Sequence, residues 1–140
     1  VSKDSRFQYK YRKNASRLHK VVGEVLRTDS AFKGYPSFQE YHVNRVNTSY
    51  PNGAHRFDWV IPHLKLVIEC HGKQHYEPVA FGGNMDKAVD AFHATQFRDK
   101  LKKEACLAAG YRYVVVPWTL EKTFDSDKLF GLLTEAEGEL

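Results

Sequence analysis

The sequence predicts an α/β fold with a mixed central β-sheet flanked by helices, and three observations predict it. Leu18, Val21, Val22, Val25 and Leu26 recur at helical spacing near the start of the chain. Two strand-like runs, HRFDWVI and LKLVIEC, are joined by a turn short enough only for an antiparallel hairpin. A long helical stretch from Asp86 to Ala109 then leads into YRYVVVP, so the helix crosses over and returns a last strand to the same sheet.

Each element has its local reason. Asn14 or Ser16 can cap a first helix that reaches about Arg27, with Glu24 at the edge of its apolar stripe. Gly34 and Pro36 mark a loop, after which FQEYHV (38–43) reads as a strand. NRVNTSYPNGAH reads as a turn region, punctuated most strongly by Asn52-Gly53. In HRFDWVI, alternation places Phe57, Trp59 and Ile61 on one face and Asp58 and Val60 on the other. HGKQHYEPVAFGGN carries Gly72, Pro78, Gly82 and Gly83 and reads as a loop. The long helix, with a break expected near His93, ends at Gly110. YRYVVVP is buried by its composition, and a last helix near 126–133 closes the chain.

With 140 residues, 42% hydrophobic and 27% charged, the chain is one domain's worth of soluble, ordered protein (1–140). It shows no repeat, no apolar run of membrane-spanning length and no apolar core of a signal peptide, so a cytoplasmic location is expected. The initial Val suggests a trimmed start or a domain of a longer protein. Cys70 and Cys106 lack the paired spacing of a zinc site, so they are expected to be free thiols and no structural zinc is expected.

The net charge of +4 is unevenly spread. Residues 1–15 form a basic segment in which Phe7, Tyr9 and Tyr11 interleave with Lys3, Arg6, Lys10, Arg12 and Lys13, and Arg17 follows. Cations mixed with rings suit a phosphate backbone with stacked bases, and equally a solvated tail. Arg98, Asp99 and Lys102 lie in a polar cluster on the long helix, readable as a solvated face.

The hairpin carries the chemistry. A two-residue loop at His63 and Leu64 would pair Asp58 directly with Glu69, with Cβ atoms about 5 Å apart. Like charges so placed repel unless one is protonated or a cation lies between them, and two hard oxygen ligands suit Mg²⁺. His71 and His75, with Gly72 between them, follow Glu69 at once, and either imidazole could act as general base or acid.

The runs FDWVIPHLKLVIECHGKQHYEP and QFRDKLKKEACLAAGYRYVVVPW together resemble the PD-(D/E)XK nuclease superfamily, and within it the very-short-patch repair endonucleases and their EDxHD phage homing relatives, over about residues 16 to 118. The resemblance implies a restriction-endonuclease-like core and a Mg²⁺- or Mn²⁺-dependent endonuclease acting on double-stranded DNA. Glu24 would be the leading Glu, Asp58 the principal metal ligand, Glu69 the second acidic ligand and Cys70 a backbone-carbonyl ligand. His75 would be the base with His71 as alternate, and Asp99 would place the His or a second metal. Lys10, Arg12, Lys13, Arg17, Lys73, Gln74, Arg98 and Lys102 would face DNA. His71 replaces the family's E-x-K lysine, Lys73 and Gln74 stand where the repair enzymes carry aromatics, and the zinc cysteines are missing. These departures favour the homing type over a mismatch nickase. A junction resolvase or a non-cutting nucleic-acid-binding module with this fold stays open, as does the oligomeric state.

Overall fold

The computed structural model describes residues 10–80 and 82–138. Its order is α1 (Arg17–Thr28), β1 (Phe38–His42), the single-turn α2 (Val43–Val46), β2 (Arg56–Ile61), β3 (Leu66–His71), α3 (Met85–Ala108), β4 (Arg112–Pro117) and α4 (Ser126–Gly138). The strands form one four-stranded sheet in the order β1-β2-β3-β4. The first two neighbouring pairs are antiparallel and β3 runs parallel to β4. The chain is therefore α/β with a mixed sheet.

Ser16 starts α1 by accepting the His19 N–H on its hydroxyl, which satisfies one of the donors every helix start leaves bare. The buried stripe Leu18, Val22 and Leu26 packs with Leu129 and Leu133 of α4 against Trp59, Ile61, Leu66, Ile68, Val114 and Val116. On the opposite face, Ala105 and Cys106 of α3 and Val43 of α2 meet Phe57, Val60, Val67 and Tyr113. The sheet is thus covered on both sides, as a parallel pair requires.

Several expectations change. Asn84 caps α3 through Lys87 N–H, and the helix runs unbroken past His93. Its 24 residues span about 36 Å, whereas six-residue strands reach about 20 Å, so a long stretch of α3 lies beyond the sheet. Gly110 follows α3 at φ +81°, as a helix-ending glycine does. The segment after His71 makes a 3-10 turn, Lys73–His75. α4 runs one turn longer than expected. Phe57 packs on the α3 side with Val60 while Trp59 and Ile61 face α1, so β2 does not alternate through Asp58. Opposite that break, Glu40 of β1 has a left-handed φ of +53°.

Candidate active site at the fork of the sheet

The hairpin register is the one the short turn implies: Trp59 faces Ile68, Val60 faces Val67 and Ile61 faces Leu66. The turn itself is longer, a 3-10 turn at Pro62–Leu64 followed by Lys65 in the left-handed region. Beyond Trp59 the paired register of β2 and β3 stops. β2 stays with β1 through Tyr41↔Phe57, while β3 stays with β4 through Glu69↔Val115 and His71↔Pro117. The sheet forks there, with Asp58 and Glu69 at the fork.

At the fork the two carboxylates replace ladder partners. Asp58 N–H donates to Glu69 Oε1 at 2.8 Å, and Cys70 N–H donates to Asp58 Oδ2 at 2.7 Å. Each acid therefore satisfies an amide of the opposite strand that the split would otherwise leave bare. Glu69 is 2% exposed, and its Oε2 accepts from Lys102 Nζ at 2.6 Å. Burial pushes the Glu69 carboxyl up and nearby Asp58 adds to this, while Lys102 pulls it down. Lys102 also lies over the Phe57 ring. The resemblance implies a DNA-facing helix surface for it, but α3 seats it against the sheet, where a buried charge persists beside an opposite one. The repulsion expected between Asp58 and Glu69 is thus met partly by Lys102. The metal-compatible cluster at Asp58 is a different one: donor atoms of His19, Glu40 and Asp58 lie within 4.8 Å of one another.

His19 is buried, stacks on Trp59 and binds Gln39 Oε1 through Nε2. Its Nδ1 is 4.0 Å from Asp58 Oδ1. Glu40 pairs with Arg12 at 2.9 Å. Neither His19 nor Glu40 was anticipated. The one available signal for His19 was a histidine beside the apolar stripe of α1. Glu40 depends on a β1/β2 register that no short turn announces.

Next to the fork stand His71, His75 and Asp99. His75 Nδ1 and Asp99 Oδ2 are 2.6 Å apart, and the rings of His71 and His75 stack with centroids 4.0 Å apart and planes 6° apart. The 3-10 turn after Gly72 folds His75 back over His71. Gly72 has an ordinary φ of −71°, so it is not needed for a left-handed turn; instead, a Cβ there would fall 2.6 Å from Gln74 Oε1. Burial and the neighbouring His75 hold His71 down at about 4, and it stays neutral at physiological pH. Burial raises Asp99, but the His75 hydrogen bond and both imidazoles outweigh it and leave the carboxyl below its usual range.

The other expected residues lie apart. Glu24 is half exposed, with its carboxylate taken by Arg27 and by the Tyr11 hydroxyl. Tyr11 itself packs edge-on against Trp59. Lys10, Lys13, Arg17, Gln74 and Arg98 are exposed, Arg12 is bound to Glu40, and Lys73 pairs with Glu77. Lys3, Arg6, Phe7 and Tyr9 lie outside the described residues. Both cysteines are free, and burial raises both thiols. No helix of the described residues is long and apolar enough to cross a membrane.

No family model matches the chain. A curated relative, uncharacterized protein 307L of Invertebrate iridescent virus 6, is 36% identical over 91 residues, which is 64% of this chain. The match spans 43% of the viral protein, less than half its length, and that protein is itself uncharacterized, so the likeness brings no activity with it.

Proposed function

We propose that this protein is a divalent-metal-dependent endonuclease that hydrolyses DNA phosphodiester bonds at the fork between β2 and β3. The observation that carries the reading is the meeting at one fork of Asp58, the buried Glu69–Lys102 pair and the His75–Asp99 pair. A restriction-endonuclease-like core is part of the same proposal.

The residues fit a hard dication at Asp58. Its Oδ1 has His19 Nδ1 at 4.0 Å, outside hydrogen-bond range, and Glu40 supplies a further carboxylate in the same cluster. Asp58, with Glu40 and His19 beside it, would hold the ion; Glu69 oxygens accept from Lys102 and Asp58 N–H, so Glu69 acts as support for the site. When bound, Mg²⁺ or Mn²⁺ polarises the scissile phosphate and lowers the pKa of water. Asp99 fixes the His75 ring through Nδ1, which leaves Nε2 as the nitrogen that moves a proton. Lys102 donates to Glu69 Oε2 and favours its ionised form against the burial and the Asp58 charge that push the carboxyl up. Lys10, Lys13, Arg17 and Arg98 grip backbone phosphates, which positions a duplex without selecting its sequence.

Supercoiled plasmid tests the reading. The parent protein is expected to nick or linearise it with Mg²⁺ or Mn²⁺, and Asp58→Ala to lose at least a hundredfold in rate. A parent that leaves the plasmid intact with both ions overturns the enzyme reading. The second reading, a DNA-binding module that does not cut, draws on Lys102 holding Glu69, and it predicts salt-sensitive binding without cleavage.

A further inference from the structure

The trio beside the fork has bonding capacity that the proton-transfer role leaves unused. His71 is 7% exposed, and its Nε2 is buried without a hydrogen-bond partner, as is Asp99 Oδ1. His71 Nε2 stands 3.9 Å from Asp99 Oδ2, too far for a hydrogen bond. A buried polar atom left bare has given up its hydration with nothing in return. The neutral ring and the carboxylate are both Lewis bases, and one Lewis acid satisfies both. Donor atoms of His71, His75 and Asp99 lie within 4.8 Å of one another.

We propose that His71, His75 and Asp99 form a binding site for a borderline transition-metal dication of the Zn²⁺ or Co²⁺ class, separate from the hard-cation position at Asp58. Two imidazoles and one carboxylate are a donor set for such ions, with a coordination position left open. Bonds of about 2.0–2.1 Å would set donor atoms roughly 3.3 Å apart. The present separations of 2.6 and 3.9 Å to Asp99 Oδ2 bracket that value, and the two stacked imidazoles must tilt out of parallel for both in-plane lone pairs to reach one ion. His71 is held in the neutral form that binds metal. Arg98 and Lys102 are the cations that act on His71, and Lys102 is matched by Glu69. An ion bound at His75 Nδ1 displaces the ring proton to Nε2, which can then no longer accept one, so Zn²⁺ would shut off Mg²⁺-supported cleavage. That consequence rests on the nuclease reading, whereas the binding itself does not.

The test is titration of the chelator-stripped full chain with Co²⁺ and with Zn²⁺ in the absence of DNA, read by calorimetry and by Co²⁺ visible absorption. The expected result is saturable binding that weakens at least tenfold in His71→Gln and in Asp99→Asn and is unchanged in Asp58→Asn. Zn²⁺ should also shift the ring resonances of His71 and His75 in the parent, a readout that needs no variant to fold. Absence of saturable binding, parent affinity in both variants, or loss in Asp58→Asn alone overturns the site, and leaves water or the Asp58 cluster as the partner of the bare atoms. Binding that follows the trio in a protein that cuts no plasmid with Mg²⁺ would sink the nuclease reading and keep this one.

Discussion

Lys102 and Glu69 show how the energetics at one pair of residues constrain the site. Both are buried and meet at 2.6 Å, so removing one partner strands the other charge. Lys102→Met should cost about 3–5 kcal/mol in urea denaturation, and adding Glu69→Gln should restore part of it. A double variant no more stable than the single one would show that the pair is not the source of the loss. His71 gives a pH-dependent counterpart. Its folded pKa of about 4 lies below the ordinary 6.5, so the unfolded chain takes up a proton that the folded chain refuses. The contribution of the neutral ring is therefore complete above the ordinary value and is lost as pH falls toward 4. With chelator present, the stability advantage of the parent over His71→Gln should shrink between pH 6.5 and 4. An advantage that holds constant through that window would contradict a buried neutral imidazole.

At the scale of elements, α1 is fixed by its cap and by one close approach. Ser16→Ala removes the oxygen that accepts His19 N–H and should lower stability by about 1 kcal/mol. Gly23 matters more: a Cβ there would lie 2.6 Å from Trp59 Cζ2 and 2.7 Å from the Tyr11 hydroxyl oxygen. Gly23→Ala should therefore cost about 1–3 kcal/mol by pushing α1 off the sheet, despite the better helix propensity of alanine. Thermal denaturation checks both, and a Gly23→Ala protein as stable as the parent would mean that α1 does not press on Trp59. Because His19 rides on the same helix, displacing α1 also disturbs the neighbourhood of Asp58.

For the whole molecule, the net charge of +4 matters less than where the cations end up. Lys13 and Arg17 are exposed near the start of α1, whereas the Arg12 guanidinium is committed to Glu40 and Lys102 to Glu69. Each phosphate contact adds about 0.9 to the slope of log affinity against log salt. Lys13→Ala and Arg17→Ala should each flatten that slope by about one for duplex DNA, measured by anisotropy at several salt concentrations. Slopes equal to that of the parent would move the DNA-binding face away from α1.

Much of the architecture was legible in the residues because the signals are local. The stripe of α1, the Ser16 cap, the tight turn after Ile61 and Gly110 after α3 each act within a few positions, and the hairpin register follows from the turn. That register points Asp58 toward Glu69, although the ladder ends at Trp59 and the two acids meet through backbone amides of the opposite strand. The long-range pairings were not legible. Lys102 looked like one more cation on a solvated helix, and only the seating of α3 on the sheet turned it inward to Glu69. His19 and Glu40 reach Asp58 from α1 and β1, through packing on Trp59 and a strand register set by no short connection. By itself the sequence determined the principal helices and strands, their order and the acidic hairpin, but not the single turn of α2. The tertiary structure decided which charges are buried against which, because desolvation acts only once distant segments close over a group, and no local spacing records that closure.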